Sequence, residues 1–226
     1  MIDRVYGCLS APEPDPRDLQ MAEAVAGAVL PSHRLWRHGP ILDQGRTPQC
    51  VAHAGTAWGN CLPIDDHWPE QVAHDIYADC KKVDGNNEDG TYVRSLAKVL
   101  AASPYSRLSK YAFGDIDAAR AFVLGIGPVV QGIPWTEGME TPDADGVIHP
   151  TGEVVGGHGT CIIGSTGQTD TDMAVIQNSW TIKWGKHGLC YILWGELRTV
   201  SYGTAGFRPE FMAAIELPLG VAPTEA

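Results

Sequence analysis

A cysteine, a histidine and an asparagine stand in that order along this chain, at positions 50, 158 and 178, and a glutamine at position 44 precedes the cysteine. Cys50 follows Pro48 and leads a run of small residues, Ala52, Ala54, Gly55, Ala57 and Gly59, so it is expected at the start of a closely packed helix. Unpaired N–H groups and the positive end of the helix dipole there favour thiolate over thiol. An imidazole titrating near neutrality can take the thiol proton and later deliver it to a leaving amine, a role open to His158. The amide of Asn178 can fix the ring's tautomer without changing its charge. Gln44 and the backbone N–H of Cys50 can donate to an oxyanion. Together these residue types suit acyl transfer by a sulfur nucleophile.

Two kinds of element must position them. Helical spacing is expected over Gln20–Leu30, Val51–Asn60, Glu70–Lys81, Tyr92–Ala102 and Ile116–Val123, with a polar loop at residues 83–90. Beyond Tyr111 the pattern turns to short apolar strands between Gly, Pro, Asp and Thr turns: residues 127–133, 147–148, 154–155, 160–163, 173–177 and 189–193. The chain therefore divides into residues 1–110, an N-terminal strap and helical half bearing Cys50, and 111–226, a β-barrel half bearing His158 and Asn178. Residues 7–20, with three prolines, read as an extended surface strap, and residues 218–226 as a loose tail.

Asp43-Gln44-Gly45, Cys50-Val51-Ala52-His53-Ala54, Gly157-His158 and Asn178-Ser179-Trp180 through Trp184-Gly185 to Gly188 resemble the papain-like cysteine peptidases. The lead-in, Asp15-Pro16-Arg17-Asp18 with Leu30-Pro31 and Leu35-Trp36-Arg37, is similar to that of compact bacterial, archaeal and phage members, and the likeness spans roughly residues 10–200. The resemblance implies an α+β papain-like fold, a helical left half and an antiparallel β-barrel right half with the cleft between them. It implies Cys50 as nucleophile, His158 as base and acid, Asn178 as the histidine's orienter and Gln44 as oxyanion donor. It further implies that Gly90 pairs its backbone with an extended peptide substrate and that Trp180 shields the His and Asn contact from water. Thr47, Pro48-Gln49, Val51 and Thr181 depart from the family pattern, leaving the reacting groups but changing the cleft around them. Cysteine and histidine are only about a hundred residues apart, and no inhibitory propeptide is expected before residue 40.

Composition narrows the alternatives. A formal charge of -11 argues against nucleic acid or an anionic membrane as partner, and a peptide or protein substrate is expected instead. Neither a secretory signal nor a membrane-length apolar run is visible, so a cytoplasmic location is expected, with packaging in a viral particle left open. Six cysteines without close pairs advertise no disulfide framework, and those other than Cys50 read as buried thiols. Cys50, His53 and Cys61 lack a matching second pair for zinc, so no metal or other cofactor is expected. His53, Trp135 and His149 are further candidates for the neighbourhood of the cleft, whereas His187 reads as a surface turn residue. Two rivals stand beside the peptidase: a thiol acyltransferase or amidase, and a catalytically silent virion or scaffold protein of the same fold. Oligomeric state is not encoded legibly.

Overall fold

The computed structural model describes residues 4–102, 105 and 108–216, so the expected tail lies outside the described residues. Small side chains set the first packing event. Helix α2 (Cys50–Gly59) is buried along its whole length, because its alanines and glycines let it lie directly on the sheet. Helices α3 (Gln71–Asp84) and α4 (Val93–Ala102) pack beside it, and α3 ends at Gly85 in the left-handed conformation, φ 64°. Asp115 caps α5 (Ile116–Gly125) by accepting from the Ala118 amide. The helix expected at residues 20–30 shrinks to one turn, α1 (Met21–Ala24): its alanines sit on an exposed segment with little apolar surface to bury.

The strands are β1 (Leu19–Gln20), β2 (Arg34–Leu35), β3 (Tyr111–Gly114), β4 (Val129–Thr136), β5 (Val154–Ser165), β6 (Met173–Gln177), β7 (Leu189–Leu193) and β8 (Glu210–Ala214), with α6 (Trp194–Gly203) between the last two. They form one eight-stranded sheet, ordered β1-β3-β8-β4-β5-β6-β7, with β2 paired to β5. The α+β expectation holds, but the expected barrel is corrected to an open sheet, since β1 and β7 do not close on each other. The two strands expected at 154–155 and 160–163 are one long strand, because Gly156, Gly157 and Gly159 continue the ladder opposite β4. Strands β1 and β2 come from before residue 110, and β3, β8 and α6 carry too weak a periodic signal to stand out in the sequence. Among the described residues no helix is long and apolar enough to cross a membrane.

Gly159 decides how close helix and sheet can come. A Cβ there would lie 2.8 Å from Val51 Cα, so only glycine lets β5 touch the first turn of α2. His158 is thereby brought beside the residue that opens that helix.

Candidate active site

Cys50 is the first residue of α2, with Gln49 as N-cap and Pro48 just outside the helix. The backbone amides of Gly159, Gly7, Val51 and Cys50 itself face the thiol and favour the thiolate, yet complete burial outweighs them and pushes the thiol up. The helix-start argument is thus right in sign but smaller than desolvation.

His158 is fully buried, and its Nε2 lies 2.8 Å from Asn178 Oδ1. The Ser179 amide donates to the same oxygen at 2.8 Å. Two donors on one atom identify it as the amide's carbonyl oxygen, an acceptor only, so the neutral ring carries its proton on Nε2. Nδ1 is left with a lone pair and no protein partner. Asn178 reaches this position from the end of β6, where its own amide donates to Gly188 O at 3.0 Å. Burial holds the imidazole neutral, dragging it from its ordinary 6.5 to about 3.

Aromatic rings close this corner. Trp180 stacks on His158 with centroids 4.6 Å apart and 23° between planes, Trp135 meets the imidazole edge-on at 4.8 Å, and Trp184 braces Trp180 at 5.1 Å. Thr181, where the resemblance leads one to expect glycine, takes φ 68°, a strained conformation for a β-branched residue.

Gln44 stands on the other side. Its Oε1 accepts from the Ser179 hydroxyl at 2.7 Å, which aims Nε2 at the carbonyls of Thr47 (2.9 Å) and Val5 (3.2 Å). Sequence reasoning missed Ser179 in this role, although it lies within Asn178-Ser179-Trp180 and its hydroxyl is the one short polar group there able to bridge to Gln44.

Val5 leads into residues 7–20, the stretch that the sequence placed on the surface. Residues 4–9 instead run through the groove between α2 and β5, burying Gly7 and Cys8. The Cys8 amide donates to Gly157 O (2.9 Å), the Thr91 amide to Gly7 O (2.9 Å) and the Leu9 amide to Thr91 O (3.0 Å). The Arg4 guanidinium lies 3.8 Å over the Trp180 ring, Tyr6 turns its ring edge to His158 at 6.0 Å, and the Tyr6 hydroxyl donates to Glu140. Cys50 has no exposed surface as a result. The surface strap expected at residues 7–20 is therefore corrected at its start, where Gly7 and Cys8 are buried by main-chain pairing on both sides.

Gly90 does not itself pair with residues 7–9. Its own N–H and C=O are taken by Tyr77 and Lys81, and the residue that pairs with the extended segment is Thr91. What Gly90 supplies is room: with φ 94° and no side chain, it lets Gly7 O approach to where a Cβ would stand 2.3 Å away.

Of the other candidates, Trp135 is in the site. His53 is buried on α2, bonded to Gln49 O at 3.0 Å and 3.8 Å from Glu70. His149 lies between Asp143 and Glu196, and His187 is an exposed turn residue. All six cysteines are free and buried. Among the described residues no three His, Cys, Asp or Glu side chains converge as metal ligands.

Comparison with known proteins bears on the family and the fold. The family described as papain family cysteine protease matches residues 73–205, a stretch that holds His158 and Asn178 and starts beyond Cys50. A cathepsin B-like cysteine proteinase of Caenorhabditis elegans is 25% identical over 154 residues, which cover 67% of this chain and 42% of that protein. The chain thus spans less than half of that curated relative. Among solved structures, xylellain, a cysteine protease from Xylella fastidiosa, superposes with a TM-score of 0.70 at 19% identity, covering 93% of this chain and 96% of its own. A procathepsin B from Trypanosoma congolense gives 0.65 at 15% identity, over 93% of this chain and 86% of its own. At these identities the two structures show the shared fold.

Proposed function

Because the chain belongs to the papain family of cysteine proteases, we propose that it is a cysteine peptidase that hydrolyses peptide bonds through a thioacyl-enzyme. The observation that carries the reading is the bonded pair of His158 and Asn178, with a free Nδ1, held beside a cysteine at a helix start. Nδ1 takes the Cys50 proton as the sulfur attacks the substrate carbonyl carbon. The oxyanion so formed accepts from Gln44 Nε2 and the Cys50 amide. Nδ1 then gives its proton to the leaving amine, the C–N bond breaks and a thioester remains. Water, deprotonated by the same nitrogen, attacks the thioester and releases the carboxylate and the thiol.

Residues 4–9 occupy the place of the substrate in the resting protein. They turn the Gly7 amide to the sulfur, while the Val5 carbonyl takes up the Gln44 Nε2 donor at 3.2 Å. On this reading the segment blocks the cleft and holds an oxyanion donor until it is displaced. The test is digestion of a peptide library by wild type and Cys50→Ala, read by mass spectrometry: Cys50→Ala is expected to lose all cleavage, and cleavage retained in full refutes the mechanism. Products joined to an added amine in place of new carboxylates identify an acyltransferase instead.

A further inference from the structure

The last turns of α3 grip the chain at Gly90–Thr91 from behind. Tyr77 and Lys81 are four residues apart and share one helix face. The Gly90 amide donates to the Tyr77 hydroxyl at 3.1 Å. Lys81 Nζ donates to Gly90 O at 3.0 Å, Glu88 O at 2.7 Å and Asn86 Oδ1 at 2.8 Å, which uses every donor of the ammonium. The Asp84 carboxylate stands 3.5 Å from it. Both polar groups of the Gly90 backbone are thereby committed to α3, while those of the next residue, Thr91, face the cleft and pair with Gly7 and Leu9. Cys8 sits opposite Thr91 as in a parallel ladder.

We infer that Lys81, supported by Tyr77, is a positioning residue for peptide binding: it holds Gly90–Thr91 as a preformed edge onto which an extended segment adds as a strand. The physical reason is the convergence of oxygens. Without the ammonium, the carbonyls of Glu88 and Gly90 converge with no donor between them and Asn86 Oδ1 keeps only the Glu88 amide at 3.2 Å, so the loop of residues 84–90 splays. Binding must then order the edge before pairing with it, and the ordering entropy comes out of the affinity. The same edge serves residues 7–9 in the resting protein and, on the peptidase reading, a substrate in the open one.

Lys81→Met keeps the length of the side chain and removes the charge and donors, and Lys81→Arg keeps donors. In the full chain, hydrogen exchange at the Leu9 and Thr91 amides is expected to quicken about tenfold in Lys81→Met, with amides of α2 and β5 unchanged and Lys81→Arg close to wild type. Combined with Gly7→Ala to release the N-terminal segment, Lys81→Met is expected to raise KM roughly fivefold to tenfold with kcat held, the signature of lost uniform binding. Unchanged exchange at both amides, or a fall in kcat at constant KM, overturns the inference. The exchange comparison needs no turnover, so a chain without peptidase activity refutes the proposed reaction while this edge is still judged by its amides.

Discussion

On the proposed mechanism Asn178 Oδ1 is the atom on which the chemistry turns, because the hydrogen bond it accepts decides which imidazole nitrogen is free. Asn178→Ala leaves the ring able to rotate and to protonate at either nitrogen, and a loss of about 10²-fold in kcat is expected, the size of effect that misplaced reacting groups produce. On the proposed mechanism Gln44→Ala removes a donor to the oxyanion, and a fall on the order of 10² to 10³ in kcat is expected. Progress curves on a peptide substrate, with folding checked by circular dichroism, measure both. His158 also ties stability to pH. The fold holds the ring neutral to about pH 3, whereas an unfolded chain protonates it near pH 6.5. Stability is therefore intact above about 6.5 and is lost as pH falls from there towards about 3, because the unfolded state binds a proton that the folded one refuses. Melting temperature is expected to fall across that window, and less steeply in His158→Gln. His53, which burial also depresses, accounts for part of the slope that remains.

At the level of elements, the site is a junction of three: the start of α2, the middle of β5 and the segment of residues 4–9. The first two are held by Gly159, the third by main-chain bonds to Gly157 and Thr91 and by the side chains of Arg4 and Tyr6. Gly7 is the point where the third is most easily dislodged. A Cβ at that position would lie 2.0 Å from Pro48 O, a backbone atom that cannot move aside without moving the start of α2. Gly7→Ala is accordingly expected to lift the segment, to increase kcat/KM and to speed alkylation of Cys50 by iodoacetamide, measured by intact mass. An alkylation rate equal to that of wild type shows that the segment does not guard the sulfur. The helical spacing of α2, α3, α4 and α5 was legible because each presents an apolar stripe or a run of small residues to one core. The place of residues 4–9 was not, since a short extended segment carries no periodicity and its partners are backbone groups.

For the molecule as a whole, the open sheet gathers segments distant in sequence, and one partly buried ion cluster ties three of them. Arg94 on α4 bonds Asp18 ahead of β1 at 2.6 Å and Glu210 on β8 at 2.9 Å, and its guanidinium lies 4.3 Å over the Phe113 ring. Glu210 accepts from the Arg94 amide as well, and its buried carboxyl is raised by desolvation against the pull of that arginine. Arg94→Met leaves the buried Glu210 and the partly buried Asp18 without a counter-charge, and a loss of about 2 kcal/mol is expected from the urea midpoint at constant slope.

The sequence by itself determined the residue types that the proposed chemistry needs, their order, and the change from helical to strand periodicity near residue 110. Those properties are local: a helix start, a small-residue face and alternating apolar strands leave a mark in neighbouring positions. Tertiary structure alone decided that the sheet stays open, that Ser179 aims Gln44, that Thr91 rather than Gly90 pairs with residues 7 and 9, and that residues 4–9 lie against the start of α2 and β5. Each of these depends on a hydrogen bond or close approach between residues far apart in the chain, and such contacts follow from packing, which no single stretch of sequence encodes.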